Sequence, residues 1–231
     1  MISVCLATYN GQRFIKRQIT SILSQIGEED EVVVSDDGST DDTLTILRDL
    51  NDSRIRIIDG AHRHSPTWNF EKALEEARGE YIFLSDQDDV WMPEKVSVTM
   101  KYLQQYDCVV SDNVIVDAEG SVIADSFYAI NKTRPGKYYN LLIKNGYLGC
   151  CMAFRRCVLE SALPFPSDAP DHDGWIGNVA AFKYSVYFIP DTLIYYNRHG
   201  GNASTTSAPS TYTLWQKLGF RWSVLHNLIH L

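Results

Sequence analysis

Four short apolar runs, each closed by a polar or acidic cluster and separated by helically spaced segments, limit what this chain can fold into. The runs fall at residues 2–7, 31–35, 55–58 and 81–85. The second carries Val32, Val33 and Val34 in succession, a continuous apolar stretch rather than an alternation. Such a strand is covered on both faces, as in a parallel sheet, whereas a half-solvated strand would alternate. Between the runs, Phe14, Ile15, Ile19, Ile22 and Leu23 recur at helical spacing, and Leu44, Ile46 and Leu47 mark a second helix over 41–50. Thr40 is placed to cap that helix, with Asp41 and Asp42 in its first turn. Ser65 or Thr67 opens a third helix through Ala77, with Gly79 just past its end, and Met92-Pro93-Glu94 opens a fourth. Strand and helix alternating at this spacing predict a doubly wound α/β domain.

After a further strand at 107–111 the rhythm loosens. Strands at 114–116 and 122–124 flank Asp117-Ala118-Glu119-Gly120, a turn composition that predicts a hairpin. Helices are expected at 138–144, 157–163 and 174–182, and strands at 150–154, 185–189 and 193–196. No linker divides these elements and no repeat is evident. The expectation is a single domain over 1–204 in two halves, 1–112 and 113–204, divided where the rhythm changes. Residues 203–213 form a Ser/Thr/Ala/Pro segment expected to be mobile. Beyond it Leu214, Trp215, Leu218, Trp222, Leu225, Leu228 and Ile229 form an apolar stripe with Lys217, Arg221 and His226 among them. An amphipathic helix of this kind docks on the body or a partner subunit, or rests on a membrane surface.

Composition narrows the function. The 231 residues suffice for one domain with an appendage, and 45% hydrophobic with 22% charged residues excludes a disordered or fibrous chain. Lys and Arg number 21 against 29 Asp and Glu, a net charge of −8, so nucleic acid is not an expected partner. Asp clusters in tight groups more suited to turns and metal sites than to helix surfaces. Cys5, Cys108, Cys150, Cys151 and Cys157 are odd in number, show no metal-binding spacing and lie mostly in apolar runs, so buried reduced thiols are expected. The chain opens directly into a strand-like run and has no apolar stretch approaching a membrane span, so a cytoplasmic protein is expected.

In an open α/β sheet, ligands bind beyond the carboxyl ends of the strands. Here those ends carry Thr8-Tyr9-Asn10-Gly11, Asp36-Asp37-Gly38-Ser39 and Asp86-Gln87-Asp88-Asp89, and Asp171-His172-Asp173 precedes a helix. Converging carboxylates without matching cations repel unless a metal lies among them. Oxygen-rich ligation points to Mg²⁺ or Mn²⁺, with a diphosphate as the bridged group. Part of each cluster is also what a turn or helix cap requires.

These four motifs, in order, resemble family 2 glycosyltransferases, which have the nucleotide-sugar-binding α/β fold called GT-A. The resemblance runs from Met1 to about Ser204. The Asp-Gln-Asp-Asp-Val-Trp run at 86–91, and Tyr196-Asn197-Arg198-His199 with Asn202, resemble the bacterial rhamnosyltransferase-like branch. The resemblance implies a mostly parallel, Rossmann-like sheet flanked by helices. It implies that Thr8, Tyr9, Asn10, Asp37, Asn69, Asp86 and Gln87 line the nucleotide site, with Asp37 on the base and Asp86 on the ribose. Asp88 would ligate the Mn²⁺ or Mg²⁺, His199 would add a metal or phosphate contact, and Asp89 would support them. Asp173 matches the catalytic base, with Asp171 its rival and His172 standing where the wider family often has an acidic residue.

Trp175 and Tyr147 are candidates for stacking on a sugar or for the core, and Gly146 and Gly149 for a close approach to the donor or for turn geometry alone.

The implied reaction takes a sugar from a nucleotide diphosphate donor, UDP- or dTDP-linked with GDP as the alternative, to a glycan or lipid-linked acceptor. One base opposite a metal-neutralised leaving group gives a single inverting displacement. Bacterial surface polysaccharide, lipopolysaccharide or capsule synthesis is the implied setting. A sugar nucleotidyltransferase would need a Gly-rich basic loop after the first strand, and Asn10-Gly11-Gln12-Arg13 is too short for one. A non-catalytic scaffold would be expected to have lost Asp88 or Asp173.

Overall fold

The computed structural model describes residues 1–199 and 213–231. Asn202, the mobile segment expected at 203–213 apart from Thr213, and the domain boundary expected at 204 lie outside the described residues. At the centre is β1 (Ile2–Thr8), flanked in parallel by β2 (Glu31–Asp36) and β4 (Tyr81–Asp86), with β3 (Ile55–Asp59) parallel to β2. Register sets Thr8 opposite Asp36 and Ala7 opposite Asp86, so the polar strand ends form one row. Val4, Leu6, the three valines of β2 and Ile82–Leu84 are fully buried, which is why those runs are continuously apolar.

Helices α1 (Ile15–Leu23), α2 (Thr43–Asp49), α3 (Pro66–Glu75) and α4 (Lys95–Leu103) join these strands. Thr40 does not cap α2. Its amide N–H donates to the Asn10 side chain, and Asp41 instead accepts from the Thr43 amide at the helix start. Gly79 is likewise no helix cap. A Cβ there would lie 2.6 Å from the Ser3 nitrogen, so glycine lets the α3–β4 connection press against β1. The carbonyls past α3 are held by Arg156, whose guanidinium donates to Ala77 and Gly79.

Beyond β4 the chain builds a mixed sheet. The later elements are β5 (Val90–Trp91), β6 (Cys108–Asp117), β7 (Val122–Ala124), α5 (Phe127–Asn131), α6 (Lys137–Leu142), a 3₁₀ turn at Gly149–Cys151, β8 (Met152–Arg155), α7 (Arg156–Ala162), α8 (His172–Lys183) and β9 (Val186–Arg198). The strand order is β3-β2-β1-β4-β8-β6-β9-β5, with β7 hairpinned on β6. β8 runs antiparallel to β4 and β6, while β9 is parallel to β6 and antiparallel to β5.

Two differences from expectation have physical causes. The strands expected at 185–189 and 193–196 are one element, β9, because Pro190 falls at a register shift where its missing N–H breaks no ladder bond. The runs at 107–111 and 114–116 are likewise one strand, β6, which bends through shifts around Asp112. The last helix, α9 (Leu214–Ile229), rests on the body through Val224 with Leu225 and Leu228 half-buried. No helix among the described residues is long and apolar enough to cross a membrane.

Candidate active site

The row of strand ends forms the floor of the site. Gln87 anchors it: its carbonyl oxygen accepts from the Thr8 hydroxyl at 2.6 Å and the Tyr9 amide at 3.0 Å, and its amide donates to the Tyr9 carbonyl. Thr8 is therefore buried and engaged, and Gln87 shapes the loop rather than reaching outward. Asn10 takes a positive φ of 48°, its amide donating to Ser39 and its side chain accepting from Thr40, which locks the first loop to the second.

Asn69 is a correction to expectation. It is buried, accepts from Ser35 at 2.6 Å and donates to the Thr8 carbonyl, so it clamps β1 to β2 beneath the site and presents nothing to a ligand. Asp37 accepts from the amides of Arg63 and Ser65 at 3.2 Å each, drawing the 60–65 loop over the end of β2. Tyr9 and Asn10 are the exposed members of the group, Tyr9 at 41% with its ring edge-on to His64 at 5.1 Å.

The acidic run is organised by a distant strand. β5 pairs with β9, Val90 opposite Tyr195, and this brings His199 to Asp88 with Nε2 2.8 Å from Oδ2. Phe14 stacks on the His199 ring at 4.6 Å and fixes its plane. Asp89 is fully buried and accepts from the Asn197 amide. Burial pushes its carboxyl well above the usual range, and the charges of Asp88 and Asp86 push it further. Asp86, beside it, is pushed up to about 8 by burial and then by repulsion from Asp88 and Asp173. Burial also raises Asp88, against a lowering pull from His199.

A divalent ion can be tested against these donors. Two ligands on adjacent corners of an octahedron with metal–oxygen bonds of about 2.1 Å lie about 3 Å apart. Asp88 and His199 hydrogen-bond to each other at 2.8 Å, close to that spacing, and a carboxylate with an imidazole is a donor pair that Mn²⁺ accepts. Asp86, Asp89 and Cys150 also cluster, with ligand atoms within 4.8 Å of one another. The Cys150 thiol is held well above its ordinary range by its bond to Cys151 and by burial, and a neutral thiol is a poor partner for a hard cation. Of the two groups, the Asp88–His199 pair has the donor chemistry better suited to a hard divalent ion.

Asp171, His172 and Asp173 open α8. Asp171 caps the helix, accepting from the Gly174 amide at 2.8 Å, and Asp173 accepts from the Gly149 amide at 3.0 Å. Burial pushes Asp171 up to about 7, and repulsion from Asp173 adds to it. Asp173 is raised by burial and pulled back by hydrogen bonds from Asp171 and the two glycine amides. The shared proton therefore rests on Asp171, and Asp173 is the carboxylate of the pair that ionises first. His172 stacks on Phe70 at 4.0 Å, and burial pushes it down to about 4, so its ring is neutral. Gly149 is needed for approach, since a Cβ would lie 2.7 Å from His172 Nε2.

Trp175 does not stack on a sugar. It is buried, its indole N–H donating to the Ala162 carbonyl at 2.8 Å. Tyr147 is core as well, stacked on Phe188 and pressed against Gly177.

Sequence reasoning missed Lys95, which lies fully buried behind the acidic run, its amine 5.2 Å over the Trp91 ring and 3.3 Å from the Cys150 carbonyl. The signal was present: Lys95 shares the inward phase of Thr99 and Leu103 on α4. It sets a positive charge near Asp89.

Residues 3–163 match the family model described as glycosyl transferase family 2. An uncharacterized glycosyltransferase of Nostoc sp. is 30% identical, over 91% of this chain and 68% of its own length. The UDP-Glc:alpha-D-GlcNAc-diphosphoundecaprenol beta-1,3-glucosyltransferase WfaP of Escherichia coli is 27% identical, over 88% of this chain and 80% of its own. The structure of S. aureus TarS 1-349 in complex with UDP-GlcNAc superposes with a TM-score of 0.71 at 19% identity, covering 98% of this chain and 66% of that one. The mannosyltransferase PcManGT from Pyrobaculum calidifontis, in complex with GDP-Man and Mn²⁺, gives 0.67 at 21% identity, covering 98% of this chain and 64% of that one. At such identities the two structures speak for the fold, and this chain spans just under two thirds of each.

Proposed function

The chain belongs to glycosyl transferase family 2, and we propose that it transfers a sugar from a nucleotide diphosphate donor to a lipid-linked glycan with inversion. One observation carries this reading. The Asp88–His199 pair and Asp173 converge on the open ends of β1, β2 and β4, where the fold holds its ligands. A donor bound there meets Tyr9 and the Asp37 loop with its base and Asp86 with its ribose. The resemblance assigns nucleotide to 1–112 and acceptor to 113–204; Asp173 fits that division, whereas His199, from the second half, joins Asp88 on the donor side.

Asp88 and His199 would hold Mn²⁺ or Mg²⁺, which when bound neutralises charge on the departing diphosphate. Asp173, kept acceptor-ready by the Asp171 proton and fixed by the Gly149 amide, takes the proton of the attacking hydroxyl. Asp171 is engaged by the Gly174 amide and Asp89 by the Asn197 amide, so neither stands opposite Asp173 as the second carboxylate that a hydrolase would need to flank the bond. UDP is the first donor nucleotide to test, since WfaP and TarS are described with UDP-sugars, and PcManGT makes GDP the comparison. WfaP acts on a diphosphoundecaprenol-linked sugar, which supports an acceptor of that class and polysaccharide assembly as the setting. Neither relative distinguishes a rhamnosyl donor.

Calorimetric titration with UDP, dTDP and GDP, each with Mn²⁺ and then EDTA, tests the reading. Metal-dependent binding of one nucleotide, abolished in Asp88→Ala, is the expected result. A folded protein that binds none of them would make this a scaffold that has kept the fold without the chemistry.

A further inference from the structure

We propose that α9, with the end of α6 beside it, is a docking surface for an anionic lipid bilayer. The phase of α9 divides its residues. Val224 faces the body, Ser223 and Asn227 on one flank bond to Asp168, and Arg221 on the other donates to the Ile143 carbonyl just past α6. Trp215, Leu218, Trp222 and Ile229, spaced along one outer stripe, are left facing solvent. The two tryptophans are 82% and 68% exposed, more than a soluble surface has reason to show. Leu218 lies one turn from Arg221, so the stripe runs into the exposed Leu142 and Ile143 of the α6 end.

Charge names the occupant. The chain has a net charge of −8, yet no Asp or Glu occurs between Asp125 and Glu160, or anywhere after Asp191. Lys132, Arg134, Lys137 and Lys144 are exposed around α6, and Lys217 and Arg221 lie on α9. The rim is basic along α6 and the Arg221 flank of α9, with Asp168 set on the opposite flank where Ser223 and Asn227 hold it, and an apolar patch edged this way suits a surface that offers acyl chains and phosphates together. A second copy seated symmetrically on the patch would set that rim against itself. The tryptophans fit the headgroup boundary, and the lysines reach the phosphates.

The inference stands apart from the nucleotide reading, whose titration needs no lipid. Flotation of the full chain with phosphatidylcholine vesicles, and with vesicles containing phosphatidylglycerol, tests it at low and high salt. Binding is expected only to the anionic vesicles and is expected to weaken with salt. Lys137→Gln and Lys144→Gln should each weaken it roughly fivefold, at about 1 kcal/mol per basic residue. Trp215→Ser with Trp222→Ser should abolish it while the melting temperature and nucleotide binding are unchanged, since both side chains are exposed. Absence of binding at low salt, equal binding to neutral vesicles, or a dimer that Trp222→Ser dissolves would each overturn the proposal.

Discussion

Replacing Asp171 by Asn tests the proton sharing at the start of α8 directly. Asn keeps the cap, because its side-chain oxygen accepts from the Gly174 amide as well as a carboxylate does. What it removes is a group whose folded pKa, about 7, stands above its unfolded value of 3.8. For a group raised in the folded state, its favourable contribution is complete below the unfolded pKa and is lost as pH rises through the folded one. Wild type should therefore lose stability relative to Asp171→Asn as pH rises from 5 to 8, by about 2–3 kcal/mol from the linkage relation. At about 2–4 °C per kcal/mol for a domain of this size, the melting temperatures should part by roughly 5–10 °C across that range. Thermal unfolding at intervals of one pH unit measures it, and Asp173 titrates with its neighbour so that the pair is what is read. Curves that stay parallel from pH 5 to 8 would mean that Asp171 is ionised throughout, and the account of Asp173 as the favoured base would fall with it.

Other outcomes follow from the same geometry. Asp173→Asn should lower kcat by about 10²–10⁴ while nucleotide affinity holds, measured by initial rates and calorimetry side by side. Asp171→Asn, which leaves that base in place, should lose less than a tenth as much activity in the same assay. His199→Ala should weaken Mn²⁺ binding in the presence of UDP by about tenfold or more, and a variant that binds Mn²⁺ normally would remove His199 from the ligand set. Gly177→Ala should cost about 1–3 kcal/mol in chemical denaturation, because its Cβ would lie 2.2 Å from the Tyr147 ring within a closed core.

What the sequence made legible was whatever its local pattern encodes. The continuous runs of β1, β2 and β4 and the acidic clusters that close them were readable because burial on two faces and polar strand ends both leave short-range marks. β9 was not, since Pro190 reads as a break unless the register shift opposite it is known. Asn69 and Gln87 look like ligand contacts in a motif, and only their partners show that they brace the loops. Trp175 beside an acidic triplet reads as a sugar platform, yet α8 is buried around most of its circumference at that level. The proximity of Asp88 to His199 has no local signature at all, because a two-residue strand whose Val90 pairs with Tyr195, 105 residues on, creates it.

That two-residue strand also bears on the order in which the protein comes together. β5 follows β4 in the chain but lies at the far edge of the sheet, with β8, β6 and β9 filling the space between. The parallel pairings of β1 to β4 join residues no further apart than Ile2 and Tyr81, so every strand in them is made before α4. β5 has no neighbouring strand until β9 is made, and closing that contact spans 111 residues from Asp88 to His199. A nascent chain therefore has the row of polar strand ends well before β9 brings His199 to Asp88, and a chain stopped short of β9 would hold the proposed floor without the proposed clamp.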